Sequence, residues 1–198
     1  RPKGSTLPIT RSNMADANKA ISIDQRDYFA HFALGRLHVQ AGDHAPAVRE
    51  LDMSIDINPN FAHGYYGLAA ANLFGGLPET ALPQIVMAIR LSPSDPFMWI
   101  FLTYKSLIVA MMGDLDEAIN LQERAIQYPT AQYVPFMFLA ACYANAGRID
   151  EAVGIRKKAC QMEKSLSVDY AATLMSVVAP MLNATIEAAR AGEAGKGF

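Results

Sequence analysis

Four glycines precede four alanines at one fixed offset: Gly42 before Ala47, Gly76 before Ala81, Gly113 before Ala118 and Gly147 before Ala152. The steps between successive glycines are 34, 37 and 34 residues. Self-similarity at this period marks helix–turn–helix units piled into a solenoid. A single hairpin of helices leaves one apolar face open, and only a neighbouring hairpin can cover it. The expected fold class is therefore all-α, an array of antiparallel helix pairs read as one continuous domain.

Each unit repeats the same order of residues. The first, 28–60, carries Leu34-Gly35, a turn at Ala41-Gly42-Asp43, then Ala47, Leu51 and Ser54, and closes at Pro59. The second, 62–94, places Tyr65, Leu68, Ala69, Gly76, Ala81, Ile85, Ala88 and Pro93 at matching offsets. The third, 96–130, has Leu102, Ser106, Gly113, Ala118, Ala125 and Pro129. Its three additional residues fall before the turn, which predicts a longer first helix or an extended connection at Asp95-Pro96. The fourth, 133–163, has Phe136, Leu139, Ala140, Tyr143, Gly147, Ala152 and Ala159. Small residues at Gly35, Ala69, Ser106 and Ala140 let two backbones approach at Ala47, Ala81, Ala118 and Ala152. The loop glycine admits a positive φ, and the proline follows a helix it could not easily continue.

Outside these units the pattern changes. Residues 1–9, with Pro2, Gly4 and Pro8, read as an extended lead-in. A half-repeat over 10–24 follows, capped by Thr10 or Ser12, with Ala17, Ala20, Ile21 and Ile23 on one stripe. It reads as the second half of a repeat whose first half lies upstream. Beyond the array, 165–191 is expected to hold two capping helices separated by Pro180, and 192–198 to fray. The chain opens on Arg1 rather than methionine, which suggests a piece of a longer protein or a processed form.

Composition narrows the function classes. Hydrophobic residues make up 52% of the 198 and charged ones 18%, too apolar a balance for disorder. Net charge is −2 and no run of five Lys or Arg occurs, so the basic footprint of a nucleic-acid binder is missing. No apolar run near the start marks a secretory leader. The most membrane-like stretch, 97–113, is short and carries Lys105 at its middle, so it reads as a buried solenoid helix and membrane insertion is not expected. Cys142 and Cys160 read as free thiols in a reducing cytoplasm. The four histidines form no metal-ligand spacing, and neither a P-loop, GxGxxG nor GxSxG occurs. No catalytic residue, metal or cofactor is expected. Asp114, Asp116 and Glu117 cluster where a helix should begin, with Asp114 as its cap.

The order of aromatic, Leu-Gly, Tyr, Ala, Ala and Pro over residues 28–163 resembles the tetratricopeptide repeat (TPR) family, with Lys105 and Arg156 departing from apolar positions. That resemblance implies a right-handed superhelix, an α-solenoid, whose first helices line a groove. The inward positions are then Phe29, Phe32 and Arg36 in the first repeat and His63, Tyr66 and Ala70 in the second. The third contributes Thr103, Tyr104 and Leu107, and the fourth Met137, Phe138 and Ala141. These positions lack the Lys/Asn clamp with which some members hold a C-terminal carboxylate. A wall this aromatic suits an apolar helix or segment of a protein or peptide, a second copy of the chain included. An alternative is a free-standing scaffold whose groove is filled by its own C-terminal segment.

A narrower resemblance lies in two stretches. Residues 88–97, AIRLSPSDPF, and 113–118, GDLDEA, resemble the C-terminal TPR region of bacterial class III adenylate/guanylate cyclases. Leu139 to Tyr143, Ala146 to Arg148 and the tail Ala188 to Gly192 fit as well, without the Leu-Pro that usually follows that glycine. This implies an accessory, regulatory or dimerising region of a signalling protein, with no cyclase catalytic segment in the chain itself.

Overall fold

The computed structural model describes residues 11–163. The lead-in, the capping pair and the tail expected at 1–9, 165–191 and 192–198 lie outside the described residues. The chain divides into two compact units, one ending at Asp95 and the other starting at Pro96.

Among the described residues of the first unit there are five helices: α1 (Arg11–Ile23), α2 (Tyr28–Ala41), α3 (His44–Ile57), α4 (Ala62–Phe74) and α5 (Pro78–Leu91). Each packs on the next, and α2 also touches α4. The second unit holds α6 (Met98–Met111), α7 (Leu115–Ala125), α8 (Tyr133–Asn145) and α9 (Ile149–Met162), again packed in sequence, with α6 touching α8. The three extra residues of the third repeat divide between these elements. Relative to the repeat before it, the connection into α6 is two residues longer and α6 itself one residue longer than α4.

The glycine of each repeat does one job. Gly42, Gly76, Gly113 and Gly147 all take positive φ, between 75° and 92°. One residue later the N–H reaches back five residues: Asp43 to His38 O at 2.9 Å, Leu77 to Asn72 O at 2.9 Å, Asp114 to Val109 O at 3.0 Å, Arg148 to Tyr143 O at 2.8 Å. This is the Schellman closure, which satisfies the last carbonyls of a helix and turns the chain sharply. A side chain in that conformation costs roughly 1–2 kcal/mol, which is why glycine recurs. The helices that follow begin at once. Asp114 Oδ1 accepts the Glu117 N–H at 3.0 Å, the cap expected there.

The core of the first unit is built on Leu51, which is fully buried with Ala47, Leu68 and Ala71 around it and Phe32, Val39, Val48 and Ile55 packed against them. Two glycines touch it. A Cβ at Gly35 would stand 2.6 Å from Leu51 Cγ and 3.3 Å from Ala47 O; one at Gly67 would stand 2.5 Å from Leu51 Cδ2. In the second unit the residue matching Gly35 is Ser106, whose hydroxyl donates to Ala118 O at 2.8 Å and ties α6 to α7.

Helix α6 buries ten of its fourteen residues, Phe101 and Ile108 completely. Fourteen residues span about 21 Å, short of a bilayer core. No helix among the described residues is long and apolar enough to cross a membrane. Lys105 reaches to the surface, its Nζ 3.7 Å from Glu117 Oε1. Snorkelling of this kind lets one lysine interrupt an apolar run without a buried charge.

Both cysteines are free. Cys142 is 1% exposed, and burial pushes its thiol up to about 11. Cys160 is half-buried on α9. Iodoacetamide at pH 8 should label Cys160 while Cys142 reacts roughly 100-fold more slowly, because the thiolate is the nucleophile. Peptide mass mapping reads both rates, and equal rates would contradict the closed packing of α8.

Candidate functional site

In the first unit the aromatic side chains of α2 and α4 form one continuous set. Asp27 starts α2, its Oδ1 accepting the N–H groups of Phe29 and Ala30 at 2.9 and 3.0 Å. That cap sets Phe29 at the rim, where it is 58% exposed. Phe29 lies 5.8 Å from Phe32, ring centre to ring centre. Phe32 meets Phe61 edge-on at 5.2 Å and His63 at 6.4 Å. His63 stacks on Phe61 at 5.9 Å and stands edge-on to Tyr66 at 6.3 Å. Arg36 closes the row, its guanidinium carbon 4.9 Å from the centre of the Tyr66 ring. Such edge-to-face pairs and a cation over a ring face each add to what area burial contributes.

Exposure falls along this row. Phe29 is exposed, Phe32, Arg36 and His63 are half-buried, and Tyr66 and Ala70 are buried. Phe32 also packs on the Leu51 core, so it serves the fold as well as the face. Behind His63 the carboxylate of Asp95 comes within 3.8 Å of Nδ1, and Asp95 in turn accepts the Ser92 hydroxyl at 3.0 Å.

The six expected residues of the second unit sit deeper. Thr103, Leu107, Met137, Phe138 and Ala141 are buried, and Tyr104 is half-buried. Thr103 Oγ1 donates to Trp99 O at 2.7 Å within α6, and Met137 forms a core cluster with Ala159.

Two contributors escaped the repeat pattern. Phe61 precedes α4 and touches Tyr28, Phe29, Phe32 and His63, so it is the hub of the aromatic set. The matching positions before α2, α6 and α8 are Asp27, Phe97 and Gln132, so the position is not uniformly aromatic and the repeat pattern does not single it out. Tyr28 joins through Phe61 at 4.9 Å. Their aromaticity beside Phe29 and Phe32 was the available sign.

Elsewhere in the second unit one polar cluster has strong electrostatics. The Tyr143 hydroxyl donates to Glu123 at 2.7 Å, and burial together with that carboxylate pushes its titration up to about 12. The Arg148 guanidinium forks onto Glu151 at 2.6 and 2.7 Å and lies over the Tyr143 ring at 4.2 Å. The fork holds Glu151 below the usual carboxylate range. Among the described residues no three His, Cys, Asp or Glu side chains gather as metal ligands.

No family model matches the chain, and no curated protein does. Solved structures do. The thermophilic TPR protein TTC0263 of Thermus thermophilus superposes with a TM-score of 0.72 at 22% identity, covering 83% of this chain and 88% of that one. MamA gives 0.60 at 23% identity, over 76% and 86% of the two chains. YrrB, described as a TPR protein with an unusual peptide-binding site, gives 0.57 at 18% identity, over 82% and 81%. Together with helices alone among the described residues and the four glycine turns, these likenesses show that the chain has the tetratricopeptide-repeat fold, an all-α arrangement of antiparallel helix pairs.

Proposed function

We propose that the chain is a non-catalytic protein–protein interaction module that takes up an apolar helix or extended segment of a partner protein, a second copy included, on the first-helix side chains. In the first unit these are Phe29, Phe32, Arg36, His63, Tyr66 and Ala70. Of the six residues expected in the second unit, Tyr104 is the one accessible to a partner, while Thr103, Leu107, Met137, Phe138 and Ala141 are buried and support the fold. The observation that carries the reading is the aromatic row from Phe29 to Tyr66, which is buried at one end and open at its rim. Anchors of this type dominate interface energetics because large rings lose little conformational entropy on binding. The peptide-binding site described for YrrB supports it by likeness of fold.

Phe29→Ala and His63→Ala test the face without touching Leu51. Each is expected to weaken capture of the partner by about 1–4 kcal/mol with the melting temperature nearly unchanged. Undiminished affinity in both variants, measured by titration calorimetry, would overturn this face.

The finer reading makes the module a regulatory or dimerising region beside a bacterial nucleotide cyclase. The resemblance of residues 88–97 and 113–118 supports it. A cyclase catalytic domain encoded in frame with this chain would bear it out, and an unrelated neighbouring domain would remove it.

A further inference from the structure

Both ring nitrogens of His31 face oxygen atoms that can only accept a hydrogen bond. Nδ1 lies 2.8 Å from Glu50 Oε2 on α3, and Nε2 lies 3.2 Å from the Gln25 carbonyl in the connection between α1 and α2. His31 is 7% exposed, so water does not stand in for either partner. A neutral imidazole has one N–H and would set a lone pair against one of these oxygens, whereas the imidazolium donates to both. A proton on the Glu50 carboxyl would satisfy the same contacts, but the carboxyl is the stronger acid and gives its proton up first, so the ring carries it. The repeat pattern does not ask for this pair. At the matching positions the other repeats hold Tyr65, Leu102 and Phe136 in place of His31, and Gln84, Leu121 and Ile155 in place of Glu50.

The connection that the ring holds also sets the start of α2. Gln25 lies inside a turn closed by the Asp27 N–H on the Asp24 carbonyl at 3.2 Å, and Asp27 is the cap that holds the Phe29 and Ala30 N–H groups. We propose that His31 is a proton-operated latch: charged, it ties the Gln25 carbonyl and Glu50 to the first turn of α2, and on losing one proton it lets the connection and the Phe29 rim loosen. The N–H that remains stays on Glu50, where the contact is shorter and charge-assisted, so the Gln25 carbonyl is the partner released. Above the ordinary histidine range the folded chain then holds one proton more than the unfolded chain. The stability that the latch contributes is therefore full in mild acid and is lost as pH rises. The neighbouring charges do not replace it. Asp24 Oδ1 accepts the Arg26 N–H at 2.8 Å, and Asp27 Oδ1 is taken by the cap. On the helices packed against α2, Asp16 and Lys19 of α1 and Arg49, Asp52 and Asp56 of α3 are exposed, and His63 of α4 meets Asp95.

Amide hydrogen exchange followed by NMR on the full chain reads the latch directly. Between pH 6 and pH 8.5, protection of the Asp27, Phe29, Ala30 and His31 amides, corrected for the intrinsic pH dependence of exchange, is expected to fall about tenfold relative to amides of α4, as for the loss of one hydrogen bond. NMR of the ring nitrogens at pH 7.5 should find both nitrogens of His31 protonated in the folded chain and one bare in urea. Glu50→Gln keeps the side-chain shape. Its amide N–H can donate to a bare Nδ1 while the Nε2–H holds Gln25, so protection should persist and no longer respond to pH. His31→Tyr, which installs the residue that the second repeat carries at this position, should be equally flat. A bare ring nitrogen on His31 in the folded chain at pH 7.5 would overturn the proposal. A doubly protonated ring whose neighbours keep the same protection across the pH range would do so too. So would a Glu50→Gln variant, folded by circular dichroism, that retains the pH response of the unmodified chain.

Discussion

Leu51→Ala is expected to lower the unfolding free energy by about 2–5 kcal/mol, the range for a buried leucine whose surroundings close only partly over the gap. Leu51 is fully buried and is the side chain against which both Gly35 and Gly67 press. Alone, Gly67→Ala should cost about 1–3 kcal/mol, because its methyl would meet Leu51 Cδ2 at 2.5 Å and the Phe32 ring at 3.2 Å. In the Leu51→Ala background the first clash is gone. The methyl then fills part of the vacated space, and the helix gains the propensity of alanine over glycine, about 1 kcal/mol. The double variant should therefore be more stable than Leu51→Ala by itself. Urea unfolding of the four proteins measures the coupling. Effects that simply add, within about 0.5 kcal/mol, would show that the leucine and the glycine do not share one packing site.

Phe101→Ala should cost about 3–5 kcal/mol, the value for a buried phenylalanine. Phe97→Ala, four residues earlier in the same apolar run, should cost less than about 1 kcal/mol. The two side chains have identical chemistry and lie in one stretch of sequence. They differ in where the fold places them: Phe101 is 0% exposed on α6 and Phe97 is 49% exposed just before it. Comparable losses for both, read from denaturant midpoints, would refute the packing of α6 into the second unit.

The repeat grammar was legible because its physical causes are local. A left-handed glycine, a small residue seven positions before it and an alanine five after it form one turn and one close approach, and all lie within a dozen residues. Gly42 with Gly35 and Ala47, and Gly113 with Ser106 and Ala118, behave this way. The conversion of Ser106 from spacer to hydrogen-bond donor could not be seen, because its acceptor is a backbone carbonyl on another helix. Of the candidate site, Phe29, Phe32, His63 and Tyr66 came together with Arg36 at their edge, whereas Phe61, the ring that touches most of them, carries no periodic mark.

Sequence alone determined the helical pairs, their turns and the side of each first helix that carries large rings. These follow from backbone conformational preference and from the spacing of apolar residues along 3.6-residue turns. Only the tertiary structure decided how much of each ring stays accessible and which rings share one face. A phenylalanine looks the same in the chain whether its neighbours bury it, as at Phe101, or leave it at a rim, as at Phe29. Accessibility is a property of what packs on the opposite side, and those atoms come from residues a full repeat away.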